Sequence, residues 1–496
     1  MSKKVANGKL DRLEDSLRAL KAKSTCIHIK SLRFPCFRNL EWDARLPFDF
    51  PVTVLLGRNG SNKSSVLHAL YGAPKGKSVS DFWFETSLDA IPEKIGGLKQ
   101  SFTHTYHDPS SGELLECVKA RAPRADDPDY WEAVKPTRRY GFAKNSVRAA
   151  PIDLPVLYLD FRAELPAHDK YFNFPDPAHL KRRAEYAKLN RKLRRDYRPQ
   201  DYLRQRTRLL KKRLDAAGQA LTSNELAIIQ YILEREYVSG TILEHSLFHG
   251  HKGRTIRFTT GDFESGYSDA FAGSGESAAT FLVHDIESVQ DGSLVLLDEP
   301  ETSLHPRAQH RMLEFICDRA VRKNLQVVMA THSSHIAEKL PQQAVRVLEA
   351  SATGRVRIAT SYSVREALYG IAPPEGMITA AVEDERAKHL LLSALEVSEP
   401  AALKLVRVTV REGGTSAIFG DIVAYSDDAE TNLFIVLDGD HRPKSPIPSD
   451  GSLPQGLREL KDLISEATRG PNSSGPSLRI SNAEKATRYL QFLRDR

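Results

Sequence analysis

A chain of 496 residues is too long for one compact core, so two or three domains are expected. It is 41% hydrophobic and 27% charged, and no apolar run approaches the roughly 20 residues that cross a bilayer, which disfavours a transporter and describes a soluble globular protein. The formal net charge of +7 is modest, and it is uneven: from Lys181 to Arg213 there are 15 Lys or Arg against three acids, so the remainder is net acidic.

The N-terminus, MSKKVANGKLDRLEDSLRALKAK, is basic and lacks the apolar core of a secretory signal, which places the protein in the cytoplasm, away from any membrane. Residues 1–24 read as an extension, with a short, peripheral amphipathic helix over 9–23. Cys26, Cys36, Cys117 and Cys317 form no metal-ligand pattern and suit buried thiols in a reducing compartment. Alternation from Cys26 to Leu32 and the segment LPFDFPVTVLLG predict opening strands, with Arg38 and Asn39 near the nucleotide that the next loop would hold.

That loop is Gly57-Arg58-Asn59-Gly60-Ser61-Asn62-Lys63-Ser64-Ser65, between the apolar run Val52–Leu56 and a helical segment. Its spacing is that of a Walker A phosphate loop, GxxxxGK[ST], with Asn62 where the second glycine usually stands. Glycines allow close wrapping of phosphate, backbone amides and the helix N-terminus supply positive ends, and Lys63 adds a full charge. Ser64 is then placed to hold magnesium. Taken alone, the loop could be a polar turn with a chance Lys-Ser pair, so its distant partners decide.

Residues 83–120 predict two strands, SFTHTYHD and GELLECVKA, and Gln100 there could contact a metal or attacking water, or be an ordinary surface glutamine. Residues 121–150 read as irregular, and Leu154–Leu159 resumes a strand before Asp160-Phe161-Arg162. Residues 165–245 read as a basic helical insertion, a hairpin or lateral arm that could contact nucleic-acid phosphates, an acidic protein or only solvent.

Gly273-Ser274-Gly275-Glu276 opens a predicted helix, and Leu294–Leu297 is an apolar strand ending in Asp298-Glu299-Pro300. Asp298 can order magnesium, and Glu299 can activate or orient water. Leu325–Ala330 is another strand, ending in Thr331-His332-Ser333, which puts His332 where it could sense a terminal phosphate. The ordered series GxxxxxKS, GSGE, LLDEP and THS predicts a magnesium-dependent ATPase.

Residues 351–375 read as a linker. Met377–Val382, Leu405–Val410 and Leu433–Leu437 are short apolar runs alternating with helical segments, which predicts a small parallel α/β domain over 376–496 with its tail. Glu383, Asp438 and Asp440 follow strand ends and could bind one or two magnesium ions for phosphodiester cleavage. Arg442 or Lys444 could steady phosphate.

On the four short motifs, residues 25–350 resemble the ATP-binding-cassette heads of SMC and DNA-repair ATPases, and more closely the overcoming-lysogenisation-defect (OLD) nuclease family. The resemblance implies that Gly57, Asn59, Gly60, Asn62, Lys63, Ser64 and Ser65 hold ATP, that Ser64 and Asp298 hold Mg2+, that Glu299 is the hydrolytic carboxylate and that His332 is the switch histidine. It also implies that Ser274, Gly275 and Glu276 face ATP held by a second subunit, in a homodimer or higher homo-oligomer formed through the heads. The family's signature usually has serine where Gly273 stands.

Residues 376–445 resemble the Toprim metal-binding domain, with Glu383 matching its glutamate and Asp438 and Asp440 its DxD pair; Asp384 replaces a frequent glycine. The expected fold class is therefore α/β, an ABC/SMC-like P-loop ATPase head with a helical basic insertion followed by a small Toprim-like domain. The function implied is an ATP-regulated, magnesium-dependent DNA endonuclease of bacterial anti-phage defence. The alternatives are an ATPase sensor or scaffold that holds and releases a separate toxic effector through an inactive Toprim-like domain, and a DNA-repair clamp without nuclease chemistry.

Overall fold

Three runs with no polar alternation, VTVLLG, LVLLD and QVVMAT, are buried at every residue, as strands covered on both faces must be. The computed structural model describes residues 12–23, 26–143, 147–162, 208, 211–248, 251–350, 354–359, 378–399, 406–411, 418–419, 422, 433–437, 446–468, 480 and 482–495. The chain divides into two compact units, Met1–Ala350 with Arg355–Val364, and Ser351–Gly354 with Arg365–Arg496.

The first unit opens with α1 (Leu13–Ala22), β1 (Ile29–Cys36), β2 (Ala44–Pro47), β3 (Val52–Gly57) and α2 (Lys63–Tyr71). Strands β4 (Lys94–Ile95), β5 (Leu98–Lys99), β6 (Ser101–His107), β7 (Leu114–Arg121), β8 (Trp131–Val134) and β9 (Val156–Asp160) follow. Next come β10 (Gln219–Ala220), α3 (Ser223–Leu233), β11 (Ser239–Phe248), β12 (His251–Thr260), β13 (Phe263–Ser268) and α4 (Ser274–Ser288). The unit finishes with β14 (Leu294–Asp298), α5 (Pro306–Arg322), β15 (Gln326–Thr331), α6 (Ser334–Ala337), β16 (Val345–Ala350) and β17 (Val356–Ala359).

The central sheet has the order β17-β16-β3-β15-β14-β9, parallel except for the β16/β17 pair. Parallel register brings the carboxyl ends of β3, β15, β14 and β9 to one edge, which is where open α/β sheets bind ligands. An antiparallel sheet, β2-β1-β6-β7-β8, is tied to this one by Gln326 at the start of β15. His28 N and Ile29 N donate to Gln326 Oε1 at 3.0 and 2.9 Å, and Gln326 Nε2 donates to Ile29 O at 2.9 Å. A second antiparallel sheet, β10-β11-β12-β13, joins α4 through Arg254, whose Nη1 reaches both Asp285 oxygens at 2.8 and 2.7 Å.

Several expectations change. Leu13 and Leu20 are buried and α1 packs on α5, with Lys23 Nζ donating to Val321 O at 2.8 Å, so this helix is part of the unit and not peripheral. The helical reading of 165–245 fails at Ser239, where β11 begins, because residues 239–245 pair in continuous register with β12, a strand the sequence reading did not anticipate. Residues 165–207 of that insertion, including most of its basic run, lie outside the described residues. The excursion 121–150 contains the strand β8, bonded to β7. All four cysteines are free and buried.

The second unit contains β18 (Ile378–Val382), α7 (Glu385–Ser398), β19 (Val406–Val410), β20 (Leu433–Val436), α8 (Leu457–Ala467) and α9 (Ala483–Asp495). Its described strands form a parallel sheet of order β19-β18-β20, with Val382 in register with both Val410 and Val436. Asp384 has a local explanation: its carboxylate caps α7 by accepting from Ala387 N at 2.8 Å.

Gln326→Leu removes the side-chain partner of His28 N and of the buried Ile29 N and O at the start of β1. A loss of about 2–4 kcal/mol is expected, read as a lower urea midpoint with unchanged slope.

Candidate functional site

Strand β3 ends against a backbone that tolerates only glycine at its last residue. A Cβ on Gly57 would lie 2.3 Å from Ser61 Oγ and 2.4 Å from Leu348 O. The chain then turns through Gly60 (φ +79) and Asn62 (φ 65), both left-handed. Asparagine is among the few side chains that visit this region readily, so Asn62 takes over the conformational role of the glycine it replaces. Its side chain is held as well, donating to Asn39 Oδ1 and accepting from Ser65 Oγ at 3.2 Å. Asn39 therefore lies beside the loop, whereas Gln100 is buried at the edge of β6 and accepts from Arg38 N at 2.9 Å.

Lys63, the first residue of α2, curls back over the loop, and its Nζ donates to Gly57 O at 3.0 Å and Arg58 O at 3.3 Å. The same Nζ lies 2.8 Å from His332 Nε2 and 4.0 Å from Glu299 Oε1, and His332 Nε2 is 3.1 Å from that carboxyl oxygen. Three residues far apart in sequence thus meet at the carboxyl ends of β3, β14 and β15. An ammonium has only donors, so the contact makes His332 Nε2 the acceptor and assigns the proton of the neutral ring to Nδ1. Burial, then the Lys63 charge, lowers the His332 pKa. Burial also raises Glu299, to about 8, with the neighbouring Glu301 adding to the rise and Lys63 opposing it.

Glu299 itself has φ 56, an uncommon conformation for its side chain, stabilised by Glu299 N donating to Ala330 O at 2.9 Å. Glu301 fixes the next strand end, accepting from His332 N at 2.8 Å through Oε1 while its buried Oε2 has no hydrogen-bond partner. No sequence motif singled out Glu301; its position two residues after Glu299, on the same acidic turn, was the available signal.

Asp298 closes β14 with 0% exposure. Its Oδ2 accepts from Tyr158 Oη at 3.2 Å and Arg162 Nη2 at 2.7 Å, while its buried Oδ1 has no partner. Burial raises its pKa, and the nearby Ser64 hydroxyl and the Arg162 charge act in the opposite direction. An orphaned carboxylate oxygen beside a hydroxyl is the donor set that Mg2+ takes in P-loop sites, where phosphate and water complete the shell, so these residues fit the ion. Among the described residues there is no group of three or more His, Cys, Asp or Glu placed to hold a metal, which such a site does not require.

The start of α4 packs against the turn after β14: a Cβ on Gly275 would meet Ser303 O at 2.7 Å. Gly273 and Ser274 are exposed. Glu276 is buried. Its Oε2 accepts from Gly273 N at 2.8 Å, and its Oε1 receives Tyr237 Oη at 2.6 Å, Tyr267 Oη at 2.8 Å and Arg235 Nη1 at 2.9 Å. Both oxygens are engaged within the subunit because the segment between α3 and β11 delivers Arg235 and Tyr237, β13 delivers Tyr267, and the start of α4 delivers Gly273 N. Glu276 anchors the motif.

Glu383 directly follows β18, whose terminal Val382 is the register partner of Val436. Asp438 and Asp440 lie outside the described residues, as do Arg442 and Lys444.

Glu276→Ala removes the acceptor of four hydrogen bonds, one of them from a buried tyrosine. A destabilisation of about 2–4 kcal/mol is expected by urea unfolding, with Tyr237→Phe costing about 1 kcal/mol.

Residues 129–338 match the protein family described as "AAA domain, putative AbiEii toxin, Type IV TA system". The match includes Asp298, Glu299 and His332 but begins after the phosphate loop. No curated protein matches the chain. Among solved structures, an SmcHead bound to the C-winged helix domain of ScpA is 15% identical, with a TM-score of 0.39 over 67% of this chain and 97% of that one. The SMC head domain from Thermotoga maritima is 14% identical, with a TM-score of 0.33 over 68% and 100%. An Smc head with an extended coiled coil bound to the C-terminal domain of ScpA from Pyrococcus furiosus is 14% identical, with a TM-score of 0.39 over 69% and 98%. Residues 129–338 are thus similar to an ATPase-type AAA domain, and no helix among the described residues is long and apolar enough to cross a membrane.

Proposed function

We propose that the first unit binds and hydrolyses ATP with Mg2+. The observation that carries the reading is the convergence of Lys63, Glu299 and His332 beside Asp298, whose one unsatisfied oxygen is sealed from solvent. In this reading the loop amides from Gly57 to Ser65 cradle the phosphates, and Lys63 exchanges its loop carbonyls for phosphate oxygens. Ser64 and Asp298 would hold the ion, which when bound supplies neutralisation of phosphate charge. Glu299, once ionised, orients or deprotonates the attacking water, and His332 carries the state of the terminal phosphate to the β15 end. The exposed Gly273 and Ser274 offer a surface for nucleotide held by a second subunit, so a homo-oligomer through the heads belongs to the same proposal.

A second activity is supported by one observation. The parallel register of β18 and β20 sets the strand end before Glu383 beside the strand that leads to Asp438 and Asp440. We infer a Toprim-like, magnesium-dependent cleavage of DNA phosphodiesters by these three acids, governed by the ATPase unit and serving anti-phage defence. The family that matches residues 129–338 carries "toxin" in its description, which accords with a damaging output. If the acids bind a partner without cutting, the remaining reading is an ATPase sensor that retains and releases a separate effector.

Lys63→Ala is expected to weaken ATP binding by at least about 100-fold, and Glu299→Gln to keep binding while slowing turnover about 100-fold or more. Wild-type protein that hydrolyses no ATP, or a Glu299→Gln variant with normal turnover, would overturn the ATPase reading.

Asp438→Ala is expected to abolish magnesium-dependent cleavage of plasmid DNA with ATP turnover intact. If the wild type cuts no nucleic acid and co-purifies with a protein released by ATP, the effector-holding account replaces the nuclease.

A further inference from the structure

Asp160 ends β9 and Phe161-Arg162 follow it, and none of the three belongs to the four motifs. Register sets Asp160 beside Asp298 on the neighbouring strand. The chain turns there, with Arg162 N and Nε donating to Asp160 Oδ1 at 3.0 and 3.2 Å. The guanidinium then reaches across the edge of the sheet. Its Nη2 is 2.7 Å from Asp298 Oδ2, 3.3 Å from Ser64 Oγ and 3.5 Å from Asp160 Oδ2. The two groups that would hold Mg2+ are therefore both in contact with one cationic nitrogen.

An ion held by Ser64 and Asp298 would disfavour Arg162 in this position. A divalent cation shared by Ser64 and Asp298 would sit a few ångströms from Nη2, and like charges at that separation repel strongly in a half-buried site. The side chain can leave, because 53% of it is exposed while Asp298 is fully buried. Asp160 retains it near the same edge, where Lys63, Glu299 and His332 gather. A planar fork of donors in that place suits the oxygens of a terminal phosphate.

Resting on the ATP-site reading above, we propose that Arg162 is a phosphate ligand acting within its own subunit: it occupies Asp298 and Ser64 before magnesium arrives, is displaced by the ion, and then holds the terminal phosphate. The two stations make opposite demands on metal and nucleotide. Removing Arg162 eliminates a competitor of Mg2+ and also removes a stabiliser of phosphate charge. A residue that only supports Asp298 would weaken metal binding when deleted, so the sign of the metal effect separates the two roles.

The test compares wild type, Arg162→Ala and Arg162→Lys, with Lys63→Ala as the non-binding control and thermal melting to verify folding. Mn2+ binding in the presence of a non-hydrolysable ATP analogue is followed by electron paramagnetic resonance, and steady-state ATP turnover is measured separately. Arg162→Ala is expected to bind Mn2+ about 3–10-fold more tightly, and to lower kcat about 10-fold or more. Arg162→Lys, which keeps the charge without the fork, should restore the wild-type metal affinity but not kcat. Unchanged or weaker Mn2+ binding in Arg162→Ala, or unchanged kcat, overturns the proposal while leaving the ATP site standing if Lys63→Ala still abolishes binding. Wild-type protein that binds no nucleotide overturns the ATP reading and this proposal together.

Discussion

A carboxylate held in the floor of a parallel sheet governs the geometry of the first unit. Asp298 has no solvent of its own, and one of its oxygens has no partner. Such a group is costly to ionise, and it persists because Tyr158, Arg162 and Ser64 are each arranged to offset part of that cost. Each neighbour comes from a different segment: Tyr158 from β9, Arg162 from the turn after it, and Ser64 from the first turn of α2. Tyr158 is itself steadied by His68 Nε2 at 3.2 Å, whose pKa falls to about 4 through burial, so the ring stays neutral behind the site. The central sheet must bring these segments together before any of the chemistry exists.

A second constraint acts on the turn that follows. Glu299 and Ser303 both have positive φ, and Gly275 is small enough for α4 to touch Ser303 O. The acidic turn after β14 is therefore fixed between the catalytic edge and the start of α4, while Glu276 fixes α4 to the sheet β10–β13. Gly275, one residue after the exposed Ser274, is thereby packed on the turn that carries Glu299.

Much of this was legible in the sequence because the signals are local. Apolar runs without alternation identified β3, β14 and β15, and the spacing of glycines, lysine and paired acids identified the residues at their ends. In the second unit, short apolar runs likewise located β18, β19 and β20. Where the sequence misled, the deciding contacts were non-local. Residues 239–245 became strand because β12 offered a partner, and α1 became core because α5 offered an apolar face. Arg162 and Glu301 carry no motif, so only the register of β9 against β14, and the closeness of His332 to the acidic turn, made them visible.

The sequence by itself determined which side chains are available: a lysine and serine after a glycine turn, two acids after a buried strand, a histidine after another, and three acids in the C-terminal third. It also determined that Asn62 could replace glycine, because that substitution rests on a single residue's backbone preference. Tertiary structure decided which of those side chains meet, and in what state. Lys63 lies against His332 across 269 positions of sequence, Glu299 keeps its proton to about pH 8, and one arginine spans both intended metal ligands. Burial and proximity set these properties, and neither is defined until the strands are placed side by side.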